Sequence, residues 1–173
     1  GKNKGSDKLD KLKAANVLIE LSKEFQIESV MTFGGEPLLI SDTTFAIHET
    51  AKECDIPLRQ IITNGYFTND NEKIRQCVVE LAESGINDVL LSVDCFHQEY
   101  IPVDKVYEFA KCLDKVYKGR IRLQPAWLVN EQHDNPYNRK TKEYLAYFND
   151  IEMECSSGNN IFPEGNAIIY LAD

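Results

Sequence analysis

Apolar positions recur along the chain with two periods, and the period switches repeatedly. Leu9, Leu12, Leu18, Leu21 and Phe25 lie at near-helical spacing, with Asp7 placed to start that helix. Residues 29–33 form a short β-prone stretch that runs straight into Gly34-Gly35. A second helix is predicted over about residues 42–54. A strand follows from Pro57 through Ile61 and Ile62, ending at Thr63-Asn64-Gly65. The third helix has the clearest pattern: Ile74, Cys77, Val78, Leu81 and Ala82 follow i, i+3, i+4, i+7, i+8. Asn69 and Glu72 resemble a capping box, and Ser84-Gly85 supplies a stop. Residues 88–93 read as the next strand, breaking at Asp94-Cys95. Pro102 opens a fourth helix with Val106, Phe109, Ala110, Leu113 and Tyr117 on one face, ended by Gly119. Residues 120–127 read as one strand. A polar loop through His133, Asn135 and Pro136 precedes a shorter helix near residues 141–148. Ile161-Phe162 and residues 167–171 flank a turn at Pro163-Glu164-Gly165.

Strands alternating with helices of this length imply βαβ units, hence an α/β fold with a mainly parallel sheet. No low-complexity linker interrupts the pattern, so one domain is expected over residues 1–173. Ligands of such sheets gather beyond the carboxyl ends of the strands. Gly34-Gly35, Asn64-Gly65 and Asp94-Cys95 each follow a strand rather than precede one. That recurrence places a small-molecule site at the strand ends.

Composition narrows the partners. A formal charge of −9 argues against a broad phosphate-binding surface, so nucleic acid is an unlikely ligand. The basic residues between Lys2 and Lys13 are interrupted by Asp7 and Asp10 and read as a solvated tail entering a helix. No apolar run reaches the roughly 18 residues of a membrane span, and no signal peptide is evident. Cys54, Cys77, Cys95, Cys112 and Cys155 form an odd, scattered set, unlike a secreted disulfide framework. A cytoplasmic protein with no membrane partner is expected. No two cysteines sit at metal-ligand spacing, so no metal site is assigned to them.

The three strand ends carry the candidate chemistry. At Gly34-Gly35-Glu36-Pro37, two glycines let the backbone turn sharply and approach a ligand, and Glu36 presents a carboxylate. Such a unit suits a ligand ammonium group; its alternative is a plain strand-to-helix turn with an exposed acid. Thr63-Asn64-Gly65 offers an amide and a hydroxyl, although Asn-Gly also marks ordinary turns. In Ser92-Val93-Asp94-Cys95-Phe96-His97, strand alternation puts Ser92 and Asp94 on one face, suited to a ribose or an amino-acid head group. His97 adds a hydrogen bond or a group that titrates near neutral pH. The competing reading is a helix cap by Asp94 beside a surface histidine.

Taken in order, these pieces resemble the radical S-adenosylmethionine (radical SAM) superfamily over roughly residues 7–171, most strongly in the first hundred. Residues 33–39, Phe-Gly-Gly-Glu-Pro-Leu-Leu, resemble its second-strand motif, which holds the methionyl amino group of SAM. Ile62-Thr63-Asn64-Gly65 is similar to its third strand end, and Leu91-Ser92-Val93-Asp94 to its fourth, where the serine lies near the ribose or carboxylate. The resemblance implies a partial (β/α)6 TIM-like barrel with its reaction chamber at the strand carboxyl ends. It further implies reductive cleavage of SAM by a [4Fe–4S] cluster to a 5′-deoxyadenosyl radical. Gly34, Gly35, Glu36 and Pro37 would surround the methionyl group, with Ser92 and Asp94 near the ribose or carboxylate and Asn64 and His97 beside them.

The chain departs from that pattern at one decisive place. The C-x3-C-x2-C loop that supplies three cluster ligands is absent, as is the strand before it. The expectation is therefore a core truncated at its N-terminus, inactive as it stands, from a parent enzyme that would hold the cluster. The rival expectation is a non-catalytic binding or scaffold domain of the same fold. An ordinary α/β enzyme ranks last, for want of a recognisable nucleophile or acid–base pair. Substrate identity is open, since peptide, nucleotide and small-metabolite chemistry all occur on this barrel. Cys95 reads as a packed side chain, as do Cys54, Cys77 and Cys112; His48 reads as structural or exposed, and Trp127 as core or chamber lining. Gln124, and residues 162–167 as a turn closing the adenine end, are weaker candidates.

Overall fold

A computed structural model describes residues 9–162. Asp7, the Pro163-Glu164-Gly165 turn, the strand expected over residues 167–171 and the expected adenine-side closure beyond Phe162 lie outside the described residues. In order, the chain forms α1 (Lys11–Glu24), β1 (Ser29–Thr32), a 3-10 turn (Pro37–Ile40), α2 (Ser41–Glu53), β2 (Leu58–Thr63), α3 (Asn71–Glu83) and β3 (Asp88–Ser92). It continues through α4 (Cys95–Gln98), α5 (Val103–Val116), β4 (Arg120–Gln124), β5 (Ala126–Leu128), α6 (Pro136–Ala146), β6 (Glu154–Cys155) and β7 (Asn159–Ile161). The main sheet has five strands in the order β1-β2-β3-β4-β6 and is mainly parallel; β5 and β7 form a second, two-stranded sheet. The α/β expectation holds, and the order β1 to β6 does not close on itself. No helix among the described residues is long and apolar enough to cross a membrane.

Packing divides the chain into two compact units. The first runs through residue 63 and adds residues 67–89 and 116–120. In it β1 pairs with β2 in parallel, with Ser29 opposite Leu58 and Thr32 opposite Ile61. Leu18, Ala51 and Ile56 form a small core with Ile27, Val30, Ile47 and Cys54 against it. The apolar stripe expected of α1 is only partly used. Leu18 is buried, but Leu9, Leu12, Leu21 and Phe25 are exposed, because the helix turns Ala14, Ala15, Leu18 and Ser22 inward. Its N-cap is Asp10, whose side chain accepts from Lys13 N. Likewise Asp70, one residue beyond the expected Asn69, caps α3 through Glu72 N and Lys73 N. Ile74, Cys77, Val78 and Leu81 are buried as their period requires; Ala82 is exposed.

Among the described residues, the second unit comprises residues 64–66, 90–115 and 121–162. Here β4 pairs with β6 and β5 with β7, both in parallel. The single strand expected over residues 120–127 is two strands in different sheets. Pro125 separates them, since it has no N–H to continue a ladder. The last helix begins earlier than its apolar pattern suggested: Asn135 caps it, accepting from Asn138 N, and Pro136 occupies its first turn. In α5, Val106, Phe109, Ala110 and Leu113 are buried as expected.

His48 is fully buried in α2, with Nε2 2.9 Å from the Thr32 hydroxyl and Nδ1 without a partner among the described residues. Burial, with a lesser contribution from the positive charge of Arg59, lowers its pKa from 6.5 to about 4. The unfolded chain therefore binds the extra proton more readily between those two values. Stability is complete above about pH 6.5 and falls as the pH drops toward 4, by about 3 kcal/mol at most from this group. A His48→Gln variant, compared by urea denaturation across that window, is expected to lose this part of the slope. An unchanged slope would contradict the assignment.

Candidate functional site

In the first unit, the chain leaves β1 through two glycines with positive φ, 90° at Gly34 and 58° at Gly35. A Cβ on either would meet nothing within 4 Å. The backbone angle demands glycine here, rather than crowding, and the space beside both residues is open. Glu36 then caps the 3-10 turn. Its Oε1 accepts from Leu38 N at 3.0 Å and from the Thr63 hydroxyl at 2.6 Å. Thr63, the last residue of β2, is buried, so one strand end pins the carboxylate of another. Pro37 is buried at the start of the turn. Thus Gly34, Gly35, Glu36 and Pro37 form a strand-to-helix turn in which the acid is partly buried as the cap.

In the second unit, Asn64 Oδ1 accepts from Tyr66 N at 2.8 Å, closing the Asn-Gly turn. Gly65 has φ 71°, and a Cβ there would lie 2.8 Å from Leu91 Cδ1 and 3.0 Å from Phe109 Cδ1. Ser92 ends β3 and is buried. Asp94 is fully buried and caps α4: Oδ1 accepts from Phe96 N and His97 N, both at 3.0 Å. Its Oδ2 lies 2.8 Å from His97 Nδ1. The expected pairing of Ser92 and Asp94 as ligand-facing groups is therefore modified. Both oxygens of Asp94 are used inside the turn, and the cap reading describes its backbone role. His97, with its side chain 41% exposed, is brought directly onto Asp94.

A common device links the three strand ends. Glu36, Asn64 and Asp94 each use a side-chain oxygen to take the backbone N–H two residues on, at Leu38, Tyr66 and Phe96. Each polar residue therefore closes the turn that carries it. Residues not singled out by the sequence motifs hold the third turn in place. Gln98 Oε1 accepts from Asp94 N at 2.8 Å, and Thr141 Oγ1 from Cys95 N at 3.1 Å. Phe96 stacks on Tyr137 with ring centroids 5.6 Å apart. The signal for Thr141 and Tyr137 was the Asn135-Pro136 helix start, which puts both on α6. Asn138 on the same helix is buried, donating to the carbonyls of Leu128, Asn130 and His133 and accepting from Leu128 N. It holds together the polar loop through His133 and Asn135.

The remaining candidates have hydrogen-bond partners within the fold. Burial pushes the Cys95 thiol above its usual range, opposed by its hydrogen bond with Thr141 and aided by the nearby charges of Asp94 and Glu99. Gln124 Oε1 is taken by the Ser156 hydroxyl at 2.6 Å. Trp127 is core, donating from Nε1 to Ser157 O. All five cysteines are free thiols. Among the described residues, no group of three or more His, Cys, Asp or Glu side chains could hold a metal ion. No family model matches the chain, and no curated protein matches it either.

The two kinds of glycine make a direct prediction. Gly65→Ala must both strain the backbone and displace Leu91 or Phe109, and is expected to cost about 3 kcal/mol. Gly34→Ala meets only the backbone term, about 1 kcal/mol. Equal shifts of the two variants in chemical denaturation would contradict the geometry.

Proposed function

We propose that this chain is the S-adenosylmethionine-binding core of a radical SAM enzyme, built on part of a (β/α)6 barrel. The observation that carries the reading is the Gly34-Gly35-Glu36-Pro37 turn after β1. Its glycines border open space, and its carboxylate is fixed by Leu38 N and Thr63. Backbone carbonyls and a carboxylate held in one turn are the acceptors an ammonium group requires. In this reading Gly34, Gly35, Glu36 and Pro37 surround the methionyl group. Ser92, with Asn64 and the Asp94–His97 pair, serves the ribose or carboxylate end.

The described residues do not fit the [4Fe–4S] cluster, because their side chains offer no ligand set for it. No step is assigned through that group. The chain's own part is to bind and orient SAM at the strand ends, in a cytoplasmic protein acting on a small molecule or peptide. Calorimetric titration with SAM is expected to show binding that Glu36→Ala weakens at least about tenfold, a loss of about 1.4 kcal/mol. Far-UV circular dichroism would establish that the variant is folded. Absence of binding, or binding indifferent to Glu36→Ala, would contradict the proposal.

A further inference from the structure

We propose that the open edge of β1 is a self-association surface, on which a second copy of this chain pairs its own β1 antiparallel about a two-fold axis at Met31. The inference stands on the first unit alone and does not depend on the SAM reading. β1 is the end strand of the main sheet, with β2 on one side of it. Leu58 N donates to Glu28 O at 3.3 Å, which turns residues 28, 30 and 32 toward β2. The N–H and C=O groups of Ser29 and Met31 therefore point outward, along an edge that no strand among the described residues covers. Side chains alternate between the two faces of the strand. Val30 packs on the core of Leu18, Ala51 and Ile56, and Thr32 meets His48, so Ser29, Met31 and Phe33 share the opposite face.

Three observations fit a second copy as the occupant. Open edges are commonly blunted by charged residues or proline, and residues 29–35, Ser-Val-Met-Thr-Phe-Gly-Gly, carry neither. The edge is also complementary to itself. A two-fold at Met31 sets Met31 against Met31 of the second copy, Ser29 against its Phe33, and Glu28 against its Gly34. No like charges meet across that ladder, which matters for a chain of net charge −9. The third observation is apolar surface. Phe33 is 70% exposed and Met31 is exposed beside it on one face of the edge. On the other face, Leu18 of α1 joins the core on which Val30 packs, and the same helix exposes Val17, Leu21 and Phe25 at i, i+4, i+8. A standard interface of about 800 Å² per partner, nearly three-fifths apolar, needs about 450 Å² of apolar surface on each copy. These five side chains expose on the order of 500 Å². Because one patch serves both copies, the association closes at two.

Sedimentation velocity on the full chain, from about 1 to about 100 μM, tests this. A dimer of twice the chain mass is expected, with a dissociation constant of about 10 μM. Met31→Lys sets two like charges opposite each other at the axis and should weaken association at least about tenfold. Phe25→Glu on α1 should weaken it by a similar factor, while Val79→Lys on α3 should leave it unchanged. All three substitutions fall on exposed positions, so the circular dichroism of each variant should match that of the parent chain. A chain that stays monomeric at about 100 μM would overturn the proposal and leave the edge to a strand of another polypeptide. A dimer that Met31→Lys does not weaken would overturn it as well, placing the interface elsewhere on the chain.

Discussion

A polar group at the end of a buried strand must find partners within a few residues, or the strand cannot end there. Asp94 shows how far that requirement reaches. The residues of β3 before it are all buried, and its carboxylate is fully buried too. Two backbone N–H groups and an imidazole satisfy it, and taking them forces the chain into the first turn of α4. The position of His97 is therefore a consequence of burying a charge. Desolvating a carboxylate costs several kcal/mol unless its lone pairs are filled.

Glu36 solves the same problem in the first unit with different neighbours. Its carboxylate closes a 3-10 turn and receives the Thr63 hydroxyl. Asn64 does so with an uncharged oxygen. One local rule, a side-chain oxygen accepting the N–H two residues ahead, thus shapes all three strand ends. It fixes polar residues at the carboxyl ends of strands, where parallel sheets bind their ligands. Chemistry then differs by what else each oxygen touches: a buried threonine at Glu36, a half-exposed imidazole at Asp94.

Legibility in the sequence followed the range of the interactions. The helix period of α5 and most of that of α3 predicted their buried faces, because a long amphipathic helix has one face to bury. In α1 most of the large apolar residues misplace the stripe, since of them only Leu18 is buried, beside the partly buried Ala14, Ala15 and Ser22. α4 has four residues, too few to show any period, and the break at Pro125 is masked by the strand-forming residues on either side of it. The site residues Gly34, Gly35, Glu36, Asn64, Asp94 and His97 were legible as types in a pattern. Their distant partners were not, because Thr63 reaches Glu36 and Thr141 reaches the neighbouring Cys95 N–H through folding rather than through spacing.

The central claim, that these self-closed strand ends receive SAM, is tested most directly by following backbone amides in a 1H–15N correlation spectrum as SAM is added. The account predicts that shifts concentrate at residues 34–38, 64–66 and 92–97, whose N–H groups and side chains form the three turns. No shifts, or shifts confined to amides outside those turns, would contradict it.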